Sequence, residues 1–255
     1  MKYLKFLMLE KFKIKYKTGF KYFRINKLTL NKITLNNLEI MKKYILSFAL
    51  ACMSLLSFAQ ANYEKIMTEK IAKIETCKTP EDFQILANDF QRIADKETTK
   101  WLPNYYAAFS YIQKGRVLMR EGKMQDMDVV ADQAQKFIDA AESIEKENSE
   151  IHLLQKMVYS LKMMVNPQER YMTFGMKAQE ELTKAEKFDP ANPRVALIKA
   201  EDIYFTPEQY GGSKTKGMEM FKTALEKFNS FKPKTNLSPN WGRGEAEYFI
   251  NQPTK

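Results

Sequence analysis

From Asn62 to Lys255 apolar residues recur three and four positions apart with polar residues between them, and no segment alternates with a period of two. This pattern predicts an all-α fold, with helices over 62–77, 80–96, 99–120, 124–146, 149–165, 167–188, 192–205, 213–230 and 239–251. Four starts carry a capping residue followed by proline: Thr79-Pro80, Asn166-Pro167, Asn192-Pro193 and Ser238-Pro239. A Ser, Thr or Asn side chain accepts an orphan N–H of the first turn, and proline there loses only a donor that had no partner. Asp82 and Glu169 stand at the third helical position of two of them, the arrangement of a capping box. The short connections make neighbours antiparallel, as hairpins near 62–96, 99–146, 149–188 and 192–230 with a last helix over 239–251.

The second helix of each hairpin repeats one motif of small residues. Ala178, Leu182, Ala185 and Pro190 are followed in the next hairpin by Gly217, Phe221 and Ala224; earlier come Ala134, Ile138 and Ala141, and first Ala87 and Ala94. Small residues let two backbones approach, while the large apolar residue fills a neighbour's groove, so such units must stack to bury their faces.

Ala178, Leu182, Ala185 and Pro190 resemble the second-helix pattern of tetratricopeptide repeats (TPR), and KAEKFDPANPR resembles the exit of one repeat into the next. Trp101, Ala108, Tyr111 and Gly115 are similar to first-helix positions. Equivalent small residues recur at 47, 44 and 39 residues rather than 34, so the units are elongated, TPR-like variants of that repeat. WLPNYYAA from Trp101, TPEQYGG from Thr206 and PNWG from Pro239 also resemble bacterial exported helical-repeat proteins. The resemblance implies a superhelix of about four hairpins, an exported location and binding through a concave face; it implies no reaction.

The upstream sequence agrees about export. Met41-Lys42-Lys43, the apolar run from Tyr44 to Leu56, and an Ala-x-Ala signature at Ala59 and Ala61 together form a secretory signal peptide over 41–61. Residues 1–40, rich in Lys, Asn, Ile, Leu, Phe and Tyr, read as a translated upstream extension, with the membrane touched only transiently through the signal peptide. Leu50-Ala51-Cys52 partly matches a lipidation site, but the apolar run continues through Met53 to Phe58. Charge changes meaning once these segments are set apart. Residues 1–61 hold 12 of the 41 Lys+Arg and 2 of the 31 Asp+Glu, leaving 29 of each from Asn62 onward. The net +10 therefore belongs to the leader, and the neutral remainder argues against nucleic acid as a partner.

Chemistry is sparse. His152 is the single histidine and Cys77 the single cysteine beyond the leader, so neither a disulfide nor a zinc site is expected, and no nucleophile elbow or phosphate loop occurs. No cofactor, metal or enzymatic activity is expected. Trp101, Tyr105, Ala108 and Ile112 share one helical face as core, which leaves Tyr106 and Tyr111 to line the concave surface. Tyr210, before Gly211-Gly212-Ser213, packs under a turn that uses positive φ, with Ser213 capping the next helix and Tyr210 a further contact candidate. Met119, Met124, Met127, Met157, Met163 and Met164 read as adaptable core filling. Trp241 precedes a helix whose Ala246, Phe249 and Ile250 cover the open end of the stack. The expected function is a non-catalytic scaffold binding a protein or peptide of the cell envelope; the alternative is a small-ligand-binding helical domain.

Overall fold

The structure is a computed structural model that describes residues 41–44, 47 and 60–252. The chain divides into two compact units, Met1–Ala59 and Gln60–Lys255. In the first, residues 41–44 are helical. The readings placed on residues 1–40, Cys52 and Ala59 lie outside the described residues, whereas Ala61 is exposed within the first helix of the second unit.

All regular structure among the described residues is helical. Helix α1 spans 60–73 and tightens into a 3₁₀ turn at Ile74–Thr76. It is followed by α2 (Pro80–Ala94), α3 (Trp101–Arg120), α4 (Met127–Ile144) and α5 (Ser149–Met164). A turn at Pro167–Arg170 and a π-helical turn at Tyr171–Gly175 lead into α6 (Met176–Phe188), then come α7 (Pro193–Phe205), α8 (Lys214–Ser230) and α9 (Arg243–Ile250).

Side-chain caps explain several of these starts. Thr79 accepts from the Asp82 N–H while Asp82 accepts from the Thr79 N–H, a complete capping box. Asn166 and Asn192 accept from Glu169 and Arg194, and Ser213 from Lys216. Ser238-Pro239 departs from the expectation: no helix begins there, and α9 starts at Arg243 behind Gly242 in the left-handed region (φ 103°). The Ser238 hydroxyl accepts from the Thr235 N–H and closes a loop turn instead. The expected helix over 124–146 likewise opens as a 3₁₀ turn at Met124–Asp126.

Consecutive helices pack as hairpins: α3 lies against α2 and α4, α5 against α4 and α6, and α8 against α7 and α9. Each small residue of the repeated motif is interior, from Ala87 and Ala94 through Ala134, Ala141, Ala178 and Ala185 to Gly217 and Ala224, with Ile138, Leu182 and Phe221 between them. The interior forms two clusters. A large one runs from Tyr63 and Met67 through α2–α5 to Ile198 and Leu237; a smaller one joins Leu197, Ala200, Phe221, Ala224, Phe228 and Ala246. Trp241 packs against both.

Gly217 shows how tightly the last hairpin closes. A Cβ there would stand 2.6 Å from Tyr204 Cβ and 2.8 Å from its Cα, so backbone must move to admit it. Gly217→Ala is expected to lower unfolding free energy by about 1–3 kcal/mol in urea titration, whereas Gly244→Ala, with nothing within 4 Å, leaves it unchanged or slightly higher.

Candidate functional site

Helix α3 is buried on nearly every side. Residues Pro103 to Ile112 are interior without a break, including Tyr105, Tyr106, Phe109 and Tyr111. A helix apolar around its whole circumference must be covered around its whole circumference. Neighbouring helices cover part of it. The chain's own C-terminal segment covers the rest: the Tyr106 hydroxyl donates to the Leu237 carbonyl at 2.8 Å, Trp241 stacks on Phe109 at 4.8 Å, and Arg116 binds Glu245.

A buried polar chain ties this segment down. Glu150, in the first turn of α5, receives Arg194 Nε at 2.8 and 2.9 Å, Arg194 Nη2 at 2.7 Å and the Tyr105 hydroxyl at 3.0 Å. Tyr105 in turn accepts the Trp241 indole N–H at 2.7 Å. Burial, then the nearby Glu150 charge, raise the Tyr105 phenol well above its ordinary value, so it stays a neutral relay. The Arg194 guanidinium lies 4.6 Å from the Phe231 ring and 5.9 Å from that of Trp241. Its Nη1 finds no acceptor among the described residues.

Beside this chain lies an open cavity of about 530 Å³. Tyr63 of α1 and Lys100, Trp101 and Leu102 at the start of α3 form one side, and Asn236 and Leu237 of the returning segment the other. Its volume is in the range that holds a small organic ligand, and its lining mixes Tyr63, Trp101 and two leucines with polar residues such as Gln60, Glu64 and Thr235. Lys100 Nζ sits 3.6 Å over the Tyr63 ring and pairs with Glu97 at 2.9 Å. Burial, with Glu97 and Glu64 adding to it, pushes the Tyr63 phenol up to about 12.

Further along α3, Arg116 Nη2 holds two carboxylates, Glu245 of α9 at 2.6 Å and Glu201 of α7 at 3.1 Å. Burial pulls the guanidinium down, but the two acids outweigh it and it stays charged. Glu201 is pushed up to about 8 by burial, opposed by Arg116 and reinforced by Glu245. Lys156 pairs with the adjoining Asp202.

The residues singled out from the sequence fall as follows. Tyr106 and Tyr111 do not line an open face: they are 1% and 7% exposed, and the Tyr111 hydroxyl accepts from Gln84. Tyr210 does not pack under its turn but is 71% exposed, while Gly211 has the expected positive φ of 91°. His152 is bonded to Glu181 at 2.5 Å and stacked on Phe188 at 5.1 Å. Cys77 is half-buried and free. Trp241 is more than part of an end cap, since it bridges both cores. Glu150, Arg194 and Arg116 were not anticipated. The available signal was the pair Asn148-Ser149-Glu150 and Asn192-Pro193-Arg194, which places opposite charges two residues after an Asn cap in successive hairpins.

Among the described residues no group of three or more His, Cys, Asp and Glu could hold a metal ion, and no helix is long and apolar enough to cross a membrane. No family model and no curated protein matches the chain. Among solved structures it is similar to the HusA haemophore from Porphyromonas gingivalis, with 30% identity and a TM-score of 0.65 over 74% of this chain and 90% of that one.

Glu201 sets a pH dependence. Unfolded, it ionises near its ordinary 4.5; folded, it keeps its proton to about 8. Its contribution to stability is thus complete below about 4.5 and is lost as pH rises towards about 8. Thermal melts of wild type should fall across that window relative to Glu201→Gln, which carries the neutral form's shape at every pH; parallel profiles would exclude this assignment.

Proposed function

The chain belongs to the family of the HusA haemophore, and from that premise we propose that it is an exported, non-catalytic carrier of a flat, acid-bearing apolar ligand of the haem and porphyrin class. The observation that carries this reading is 30% identity over 90% of a haemophore chain. The cavity beside Trp101 supports it. Trp101, half-buried in the cavity wall, suits the face of a conjugated ring. Lys100 and the Asn236 amide at the cavity rim suit ionised acid groups. Export follows the signal-peptide pattern of 41–61 rather than anything in the fold.

Binding on this chain rests on the ring rather than on iron. His152 is committed to Glu181 and Phe188, and burial pushes the Tyr63 phenol, the one that lines the cavity, up to about 12, so it stays protonated at neutral pH. The peptide-scaffold reading is weaker, because the two α3 tyrosines assigned to a partner are buried: Tyr106 donates to the Leu237 carbonyl, and Tyr111 is bonded to Gln84 and stacked on Phe137.

Absorbance titration should give saturable one-to-one binding of both haem and metal-free protoporphyrin, with dissociation constants within about tenfold of each other, that is within about 1.4 kcal/mol. Trp101→Ala should weaken both by about 2- to 10-fold, the worth of one aromatic contact. Haem binding without porphyrin binding would place the ligand on an iron-ligating residue elsewhere, and binding of neither would overturn the reading.

A further inference from the structure

The segment between α8 and α9 covers the aromatic side chains Tyr105, Tyr106 and Phe109 of α3, yet little of its own backbone holds it there. Among residues 232–241 only Ser238 donates its backbone N–H to a backbone carbonyl, that of Thr235. The segment is fixed by what its residues insert into the body: the Leu237 carbonyl on Tyr106, the Trp241 ring on Phe109 and the Trp241 N–H on Tyr105. Segments held by a few tertiary contacts, with no ladder of their own, open at low cost compared with helices. Gly242, at φ 103°, supplies a pivot immediately after the tryptophan.

Trp241 occupies a place shaped for a planar ring. Its indole is nearly parallel to Phe109 (26°), and Phe109 is itself parallel to Tyr105 (5°). The Arg194 guanidinium lies close by, 2% exposed, with three of its donor contacts on Glu150 and Nη1 unpartnered among the described residues. A fully buried guanidinium N–H without an acceptor is costly to leave unmade. A carboxylate entering beside a ring at this position would supply the acceptor in the charge-assisted form that guanidinium favours. The place also adjoins the cavity: Leu237 is a wall of the cavity, and Trp101, on the opposite wall, packs edge-on against Tyr105. Movement of residues 235–241 would join cavity and slot into one aromatic cleft.

We infer that the slot filled by Trp241 is the inner half of the ligand site, occupied in the free protein by the chain's own indole, which a porphyrin ring displaces while a carboxylate of the ligand takes Arg194 Nη1. This rests on the carrier function proposed above and adds to it the residues of the inner site and the event that opens it. Residues 235–241 then act as a competitive strap: the ligand's apparent affinity is its intrinsic affinity reduced by the fraction of molecules with the slot open. Tyr105, Tyr106 and Phe109 become ligand contacts when the strap leaves.

Two measurements with metal-free protoporphyrin as the probe test this. Trp241→Ala, with the competitor removed, should bind about 3- to 10-fold more tightly. Hydrogen exchange on the wild-type protein should show the amides of 234–241 exchanging faster when protoporphyrin is added, and this arm stands even where the variant does not fold. Protoporphyrin dimethyl ester, which lacks the acids, should bind at least about tenfold more weakly, as loss of one charge-assisted contact requires. Slower or unchanged exchange in 234–241, or weaker binding by a folded Trp241→Ala, overturns the strap. Equal binding of acid and ester overturns the role of Arg194. Either result leaves the carrier reading intact provided wild type binds protoporphyrin; failure of wild type to bind any porphyrin removes that reading and this inference with it.

Discussion

One carboxylate organises the interior of this protein. Glu150 sits where the positive end of the α5 dipole favours an anion. Arg194 sits at the equivalent place on α7, where the same dipole disfavours a cation. The pair explains why both are tolerated. Glu150 accepts from Nε and Nη2 of Arg194, from the Asn192 side chain and from Tyr105, so its oxygens are occupied although the residue is 8% exposed. A buried ion pair built this fully contributes little over an apolar substitute, but removing one partner strands the other at a cost of about 3–5 kcal/mol. Its consequence is geometric. It fixes α3, α5 and α7 at one point, and through Tyr105 it fixes where Trp241 can enter.

That point of entry changes what the repeat-like architecture is for. A stack of hairpins usually leaves a face free for partners, and the resemblance to TPR units leads one to expect binding there. Here Tyr106 of that face is covered by Leu237, 131 residues further along, and the neighbouring core face at Tyr105 is covered by Trp241, 136 residues further along. Covering it removes a large aromatic surface from water, and the segment that does so also walls the cavity of about 530 Å³. The same residues therefore pack α3 and wall the cavity.

What could be read from the sequence was local, and what could not was long-range. Thr79, Asn166 and Asn192 cap helices because each side chain meets an N–H two or three residues away. Ser238-Pro239 carries the same local signature and makes a loop, because Trp241 must reach Phe109 before a helix can begin. The small residues from Ala87 to Ala224 were legible since each meets a neighbour in its own or the next hairpin. Tyr106 and Tyr111 were misplaced for a simple reason: counting helical faces assumes that a helix has one open side, and α3 has none between Pro103 and Ile112. The Glu150–Arg194 pair looks in sequence like two solvated charges in first turns. Only the stacking of one hairpin on the next makes them meet, 44 residues apart.

The C-terminal segment has two attachments of different kinds, and the difference locates the moving part. Helix α9 is a core element: Ala246 is fully buried, and Phe249 stacks on Phe221 at 4.6 Å and meets Tyr204 and Phe205. Detaching it would open the smaller hydrophobic cluster and break the Arg116–Glu245 pair, both expensive losses. Residues 235–241 lose on leaving the burial of Leu237 and of the Trp241 indole with its stack on Phe109, and two neutral hydrogen bonds worth about 1 kcal/mol net each, but no ion pair. A change of backbone at Gly242 separates the two. The cheap motion therefore carries Trp241 out while α9 stays, and Arg116 with its two acids is what keeps the far end of the strap anchored as it swings.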